Sequence, residues 1–187
     1  MITGHLGIAG ALRGAVRRPP STELLLALLA ASVAPDILDV AYAITGFCNP
    51  FGLFSHTVPA VALEAAVIGG VAFLATESVA TAALFVTVVG VHVFGDLITG
   101  HKLFWPGGEL VGVHLYTRAV LDWMLETPIA LAGWWMLRRS GGAPRWAAST
   151  MAALALVIGQ TGFDYYAFTH IRGVKPNACS QETPALS

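Results

Sequence analysis

The chain has 187 residues and a formal net charge of −1, with only 11% Asp, Glu, Lys and Arg against 56% hydrophobic residues. An ordinary soluble domain carries roughly 25% charged residues, so this composition, with a mean hydropathy of +0.69, cannot cover a water-facing surface. The absence of a basic excess excludes nucleic acid as an electrostatic partner, and the expected partner is a lipid bilayer.

Six helical segments are predicted. The first, about residues 3–16, is short for a full crossing and contains His5 in "TGHLGIAGALRG", whose glycines allow close helix approach. A single histidine there serves packing as readily as function. "RRPPST" then supplies two prolines and a Ser/Thr cap ahead of Glu23. The second segment, about 22–44, is apolar without a break from Leu24 to Ala34. Arg13, Arg17 and Arg18 ahead of a run ending "AASVAP" have the outline of a secretory leader. The basic residues lie far from the start, however, and the run continues past Asp36, so it is read as a span. Pro35 within it disrupts an i→i−4 bond. The expected kink aims Asp36 inward and leaves backbone carbonyls to be satisfied locally, and Asp39 follows on a similar face.

"TGFCNPFG" is loop chemistry. Cys48 within it and Cys179 near the end lack paired-ligand spacing, and a disulfide would require both to face an oxidising compartment. The third segment, about 56–75, opens with "SHT". Ser55 or Thr57 can cap it, whereas His56 gains nothing from capping and reads as a metal ligand delivered to the bundle end. The fourth, about 78–99, carries His92 and Asp96 at i,i+4 spacing, one turn apart on one helix face. An imidazole and a carboxylate so placed can grip one ion. Ionisable groups inside a membrane helix cost about 2.5–3.5 kcal/mol on insertion scales, which pairing, water or a cation must recover.

"WPGGELVG" reads as a loop after His101. The fifth segment, about 115–137, carries Asp122 and, one turn deeper, Glu126, whose carboxylate can either pair structurally or orient a ligating histidine. "RRSGGAPR" is a basic turn, the last segment runs from about 146 to 169, and Arg172 to Ser187 reads as a polar, disordered tail. The organisation expected is a single all-α domain over 1–171, a polytopic membrane bundle of five to six helices, followed by the tail at 172–187.

Alternating passage puts Arg13, Arg17, Arg18, Arg138, Arg139 and Arg145 on one side, and Lys102, Arg118, Arg172 and Lys175 on the other. By the positive-inside rule the first side is cytoplasmic. His5, Asp36, Asp39, His56, His92, Asp96, His101, His114, Asp122 and Asp164 then gather toward the extracytoplasmic end.

The order of these motifs resembles a known family. "GH" near the start, "APD" within an apolar helix, "SHT", "H-x-x-x-D" and a Trp-Pro-Gly-Gly turn are similar to those of membrane-bound proteins assigned as metal-dependent hydrolases. Among these are the YdjM-type inner-membrane proteins named for LexA binding. More distantly the order resembles the zinc-dependent phospholipase C and single-strand nuclease superfamily. The similarity spans roughly residues 2–137. The resemblance implies a bacterial inner-membrane location and metal ligands at His5, Asp36, His56, His92, Asp96 and His101. Asp36 and Glu126 would take catalytic parts. Where the pattern has "PD-x-D" this chain has "PDILD", so Asp39 is not carried over.

Two functions follow as expectations. The first is hydrolysis of a phosphoester or other ester of an amphiphilic substrate through water activated by a divalent metal, zinc on ligand type, with manganese or iron compatible. The alternative is a transporter, ion-binding protein or scaffold using the same acids and histidines. A transporter would carry polar groups through the full depth and commonly an inverted repeat, neither of which is evident.

Overall fold

The computed structural model describes residues 2–16, 21–44, 54–100, 102–106, 108–113, 115, 118–166 and 169. His101, His114, Cys48, Cys179 and the expected tail at 172–187 lie outside the described residues.

The fold is all-α. In chain order the helices are α1 (Ile2–Ala15), α2 (Thr22–Ser32), α3 (Ala34–Ile44), α4 (Val58–Thr76), α5 (Val79–Thr99), α6 (Ala119–Arg139) and α7 (Thr150–Tyr166). A 3-10 turn, Phe54–His56, precedes α4. The predicted second segment is present but broken in two, because Pro35 has no N–H to continue the ladder. Ser21 caps α2 by accepting from Leu24 N–H at 3.1 Å, the Ser/Thr cap expected after "RRPPST". The expected loop after α5 contains a short antiparallel hairpin of β1 (Lys102–Leu103) and β2 (Leu110–Val111). Strands of two residues have no periodicity to betray them.

α1 packs most extensively against α6. Glycine makes this possible: a Cβ on Gly133 would overlap the Gly7 backbone, and one on Gly14 would press on Leu137. α4 and α5 form an antiparallel pair whose core includes Val61, Ala65, Phe85, Val88, Val89 and Val93, joined by Ala9, Leu28 and Ala31.

Among the described residues two helices, α4 and α5, are long and apolar enough to cross a membrane, and α2 is a shorter apolar helix. On α4, Leu63, Val67, Val71 and Leu74 form an exposed apolar stripe with helical spacing. Val120, Met124, Met136, Met151 and Ile158 are exposed on α6 and α7. An apolar exterior around a core that buries Asp and His inverts the soluble pattern, as expected where the surrounding medium is hydrocarbon.

Candidate metal centre

The break at Pro35 builds one wall of the site. In an unbroken helix the Ser32 carbonyl would accept from the N–H of Asp36. At the break it lies 2.6 Å from Nδ1 of His92. A carbonyl only accepts, so Nδ1 carries the proton and Nε2 of the neutral ring presents its lone pair. The same break places Asp36 in the first turn of α3.

His56 arrives from the opposite wall on the 3-10 turn, fully buried. Its Nδ1 lies 2.9 Å from the hydroxyl of Ser55. Thr57 holds the cap position of α4 without a side-chain cap bond. The serine expected as a cap therefore orients the histidine instead. His92 and Asp96 project from the last two turns of α5, both buried.

These four groups converge. His56 Nε2 lies 3.1 Å from Asp96 Oδ2, 3.4 Å from Asp36 Oδ1 and 3.2 Å from His92 Nε2. His92 Nε2 lies 3.8 Å from Asp96 Oδ2 and 3.9 Å from Asp36 Oδ1. One ligand atom from each of Asp36, His56, His92 and Asp96 falls within 4.8 Å of the others, within reach of one metal ion. Zinc bonds of about 2.0–2.2 Å at tetrahedral angles place neighbouring ligand atoms roughly 3.3–3.6 Å apart. Three of the observed edges are near that value and two are slightly longer. The donor chemistry fits as well, because two imidazole nitrogens 3.2 Å apart repel unless a proton or a cation stands between them.

His5 sits beside the four rather than among them. Its Nε2 lies 2.9 Å from Asp96 Oδ1, and its ring stacks on His92 with centroids 3.8 Å apart. It holds the far oxygen of Asp96 and leaves Oδ2 turned toward His56. This differs from the direct ligand role that the resemblance implies. Lys102 Nζ reaches to 3.5 Å from Asp96 Oδ2. The role expected of His101 falls outside the described residues, as does the side chain of Asp39.

Glu126 is not brought to this cluster. It is buried on α6, where it feels the charges of Asp122 and Asp164. Close by, Thr3 donates to Gln160, whose Nε2 donates to Asp164 Oδ1 at 2.8 Å. Sequence reasoning missed Ser55 as an orienter, the Ser32 carbonyl, Lys102 and Gln160. Two of these carried a legible signal: Ser55 by its place beside His56, and the Ser32 carbonyl in kind, through the kink at Pro35.

His5, Asp36, His56, His92, Asp96, Asp122 and Asp164 thus lie at the starts of α1, α3, α4 and α6 and the ends of α5 and α7. This is the one-ended layer expected from alternation.

Comparison with the curated proteins and with the solved structures finds no match, so the distant likeness to the phospholipase C and nuclease superfamily rests on motif order alone. The family model for "YdjM inner membrane protein" matches residues 1–171. That is further than the 2–137 expected, and it takes in the last helix. The chain belongs to the YdjM family of inner-membrane proteins.

Proposed function

We propose that the protein is an integral-membrane, metal-dependent hydrolase, with Asp36, His56, His92 and Asp96 holding a divalent ion. Zinc suits two imidazoles and two carboxylates, and manganese or iron share the donor set. The observation that carries this reading is the convergence of the four groups within 4.8 Å of one another in an otherwise apolar bundle. A bound ion of this class lowers the pKa of a water toward ~7 and polarises a scissile oxygen.

The chain's own residues do the rest. The Ser32 carbonyl and Ser55 fix the two imidazoles, and His5 fixes Asp96. Asp36 is the most open of the four, its side chain 24% exposed. Its Oδ2 is itself buried and has no hydrogen-bond partner among the described residues, which leaves it as the atom to take up a proton from a water inside the site. Glu126 takes no part in this step and belongs with Asp122 and Asp164 in packing α6. A site at the ends of membrane helices favours an amphiphilic ester, a phosphoester first.

The full chain, in phospholipid nanodiscs with saturating zinc, is expected to hydrolyse the chromogenic diester bis(4-nitrophenyl) phosphate. Asp36→Asn should slow it roughly 100-fold or more. One feature favours a second reading, since a proton on His56 Nε2 would also satisfy the His56–His92 approach. No turnover with zinc or manganese, together with proton flux in liposomes that disappears in His92→Ala, would establish transport instead.

A further inference from the structure

The turn that joins α6 to α7 gathers arginines and indoles at the end of the bundle opposite the polar layer. We propose that it binds the phosphate of an anionic phospholipid, gripped by Arg138 and Arg139, with Arg145 adding charge. The proposal is independent of the metal reading above.

α6 starts at the polar layer and ends in Arg138 and Arg139, and Arg145 follows on the turn. All three side chains are exposed. None of them has an ion pair or a hydrogen bond among the described residues. The sequence has no acid from Thr127 to Phe163. Glu23, on the first turn of α2, accepts from the Ser21 hydroxyl at 3.0 Å and pairs with none of the three.

The partners of the two helical arginines are rings. Arg138 Cζ lies 5.3 Å from the centre of the Trp134 ring, and Arg139 Cζ lies 4.9 Å from that of Trp135. Each guanidinium thus rests on the indole one helical turn before it, at i,i+4 spacing. Stacking occupies a face of the group and leaves its N–H edge, a fork that matches two phosphate oxygens. The backbone beneath is held by contacts of its own. Trp134 Nε1–H donates to the Ala147 carbonyl at 3.1 Å, and Gly142 N–H donates to Ser140 Oγ at 3.1 Å. Leu137 and Ala147 are buried together against Leu25 of α2. The stacked arginines are therefore in place before a ligand arrives, which lowers the ordering cost of binding.

The surroundings select a lipid over a solute. Trp135 and Trp146 are 47% and 48% exposed, and Met136 and Met151 are exposed beside them. Indoles settle at headgroup depth in a bilayer, which sets the stacked guanidinium groups level with lipid phosphates. A zwitterionic headgroup brings a cation of its own to a turn already carrying three, whereas an anionic one does not. The positive-inside rule and the carbonyl end of α6 also favour cations here. Lysine serves both of those purposes as well as arginine, and neither calls for stacked indoles.

The test titrates the full chain in maltoside with phosphatidylglycerol and with phosphatidylcholine, each carrying the same pyrene-labelled acyl chain. Binding is read by energy transfer from tryptophan. Wild type should bind phosphatidylglycerol about 10-fold or more tightly than phosphatidylcholine. Arg138→Gln with Arg139→Gln should bring the two lipids within about 3-fold of each other. Arg138→Lys with Arg139→Lys should lose about 5-fold toward phosphatidylglycerol, because the ammonium keeps the charge without the fork. Equal affinity of wild type for the two lipids, or a preference untouched in the glutamine variant, would overturn the proposal. A lysine variant that binds as wild type does would overturn the arginine grip and leave only an orienting charge. Displacement of the lipid by millimolar inorganic phosphate would overturn the lipid as occupant in favour of a soluble anion. Should the glutamine variant lose its helicity by circular dichroism, Arg145→Gln decides: about 5-fold weaker phosphatidylglycerol binding is expected, and unchanged affinity contradicts the proposal.

Discussion

His92 owes its ligand-ready nitrogen to a backbone atom on another helix. The Ser32 carbonyl accepts a hydrogen bond from Nδ1–H, N to O 2.6 Å, so the ring can offer Nε2 without a change of tautomer. Ser55 positions the His56 ring through Nδ1 at 2.9 Å, its hydroxyl able to donate or accept there. Partners of this kind typically account for 10–100-fold in metal affinity. Ser55→Ala is therefore expected to weaken zinc binding by about that factor in a chelator competition titration, with full occupancy restored at saturating zinc. Unchanged affinity would mean that the hydroxyl is only packing. The four converging residues were legible in the sequence because each is an ionisable group set in, or at the end of, an oily run. The positions of His5 and Glu126 were not. Spacing along one helix says which residues share a face, but not which neighbour that face meets, so His5 proved to hold Asp96 and Glu126 to face Asp122 and Asp164.

At the scale of elements, the break between α2 and α3 is the feature on which the site depends. Pro35 was a legible kink, and the kink's chemical consequence, a carbonyl released from the helix ladder, was expected in kind. The acceptor's partner could not be read, since His92 lies 60 residues away in sequence. Pro35→Ala would let Asp36 N–H take the Ser32 carbonyl and leave His92 to lose its orienter. The variant is expected to gain helicity slightly by circular dichroism and to bind zinc about 10-fold more weakly. Equal affinity in wild type and variant would show that the break does not shape the site. The hairpin was missed for a different reason: two-residue strands joined by "FWPGGE" carry turn chemistry and nothing else. The turn itself follows its sequence, with Gly108 N–H bonded to the Trp105 carbonyl at 2.9 Å and Pro106 in the second position.

For the whole molecule, the bundle is an apolar exterior enclosing a polar layer at one end. Composition was enough to foresee this, because 11% charged residues leave few places for polarity except where pairing offsets its cost. We propose, from the arginine distribution, that the turn between α6 and α7 lies in the cytoplasm and the hairpin outside. With Cys48 and Cys179 replaced by serine, Glu109→Cys should react with a membrane-impermeant maleimide in intact cells, and Ser140→Cys only after lysis. The reverse pattern would place the site on the cytoplasmic face. On the function proposed above, the polar layer holds a metal. Elemental analysis of the full chain, purified without chelators and dialysed after zinc loading, tests this most directly, with His92→Ala and Asp36→Ala alongside. The expected result is near-stoichiometric zinc in wild type and loss of most of it in both variants; wild type without metal, or variants that hold as much as wild type, would contradict it.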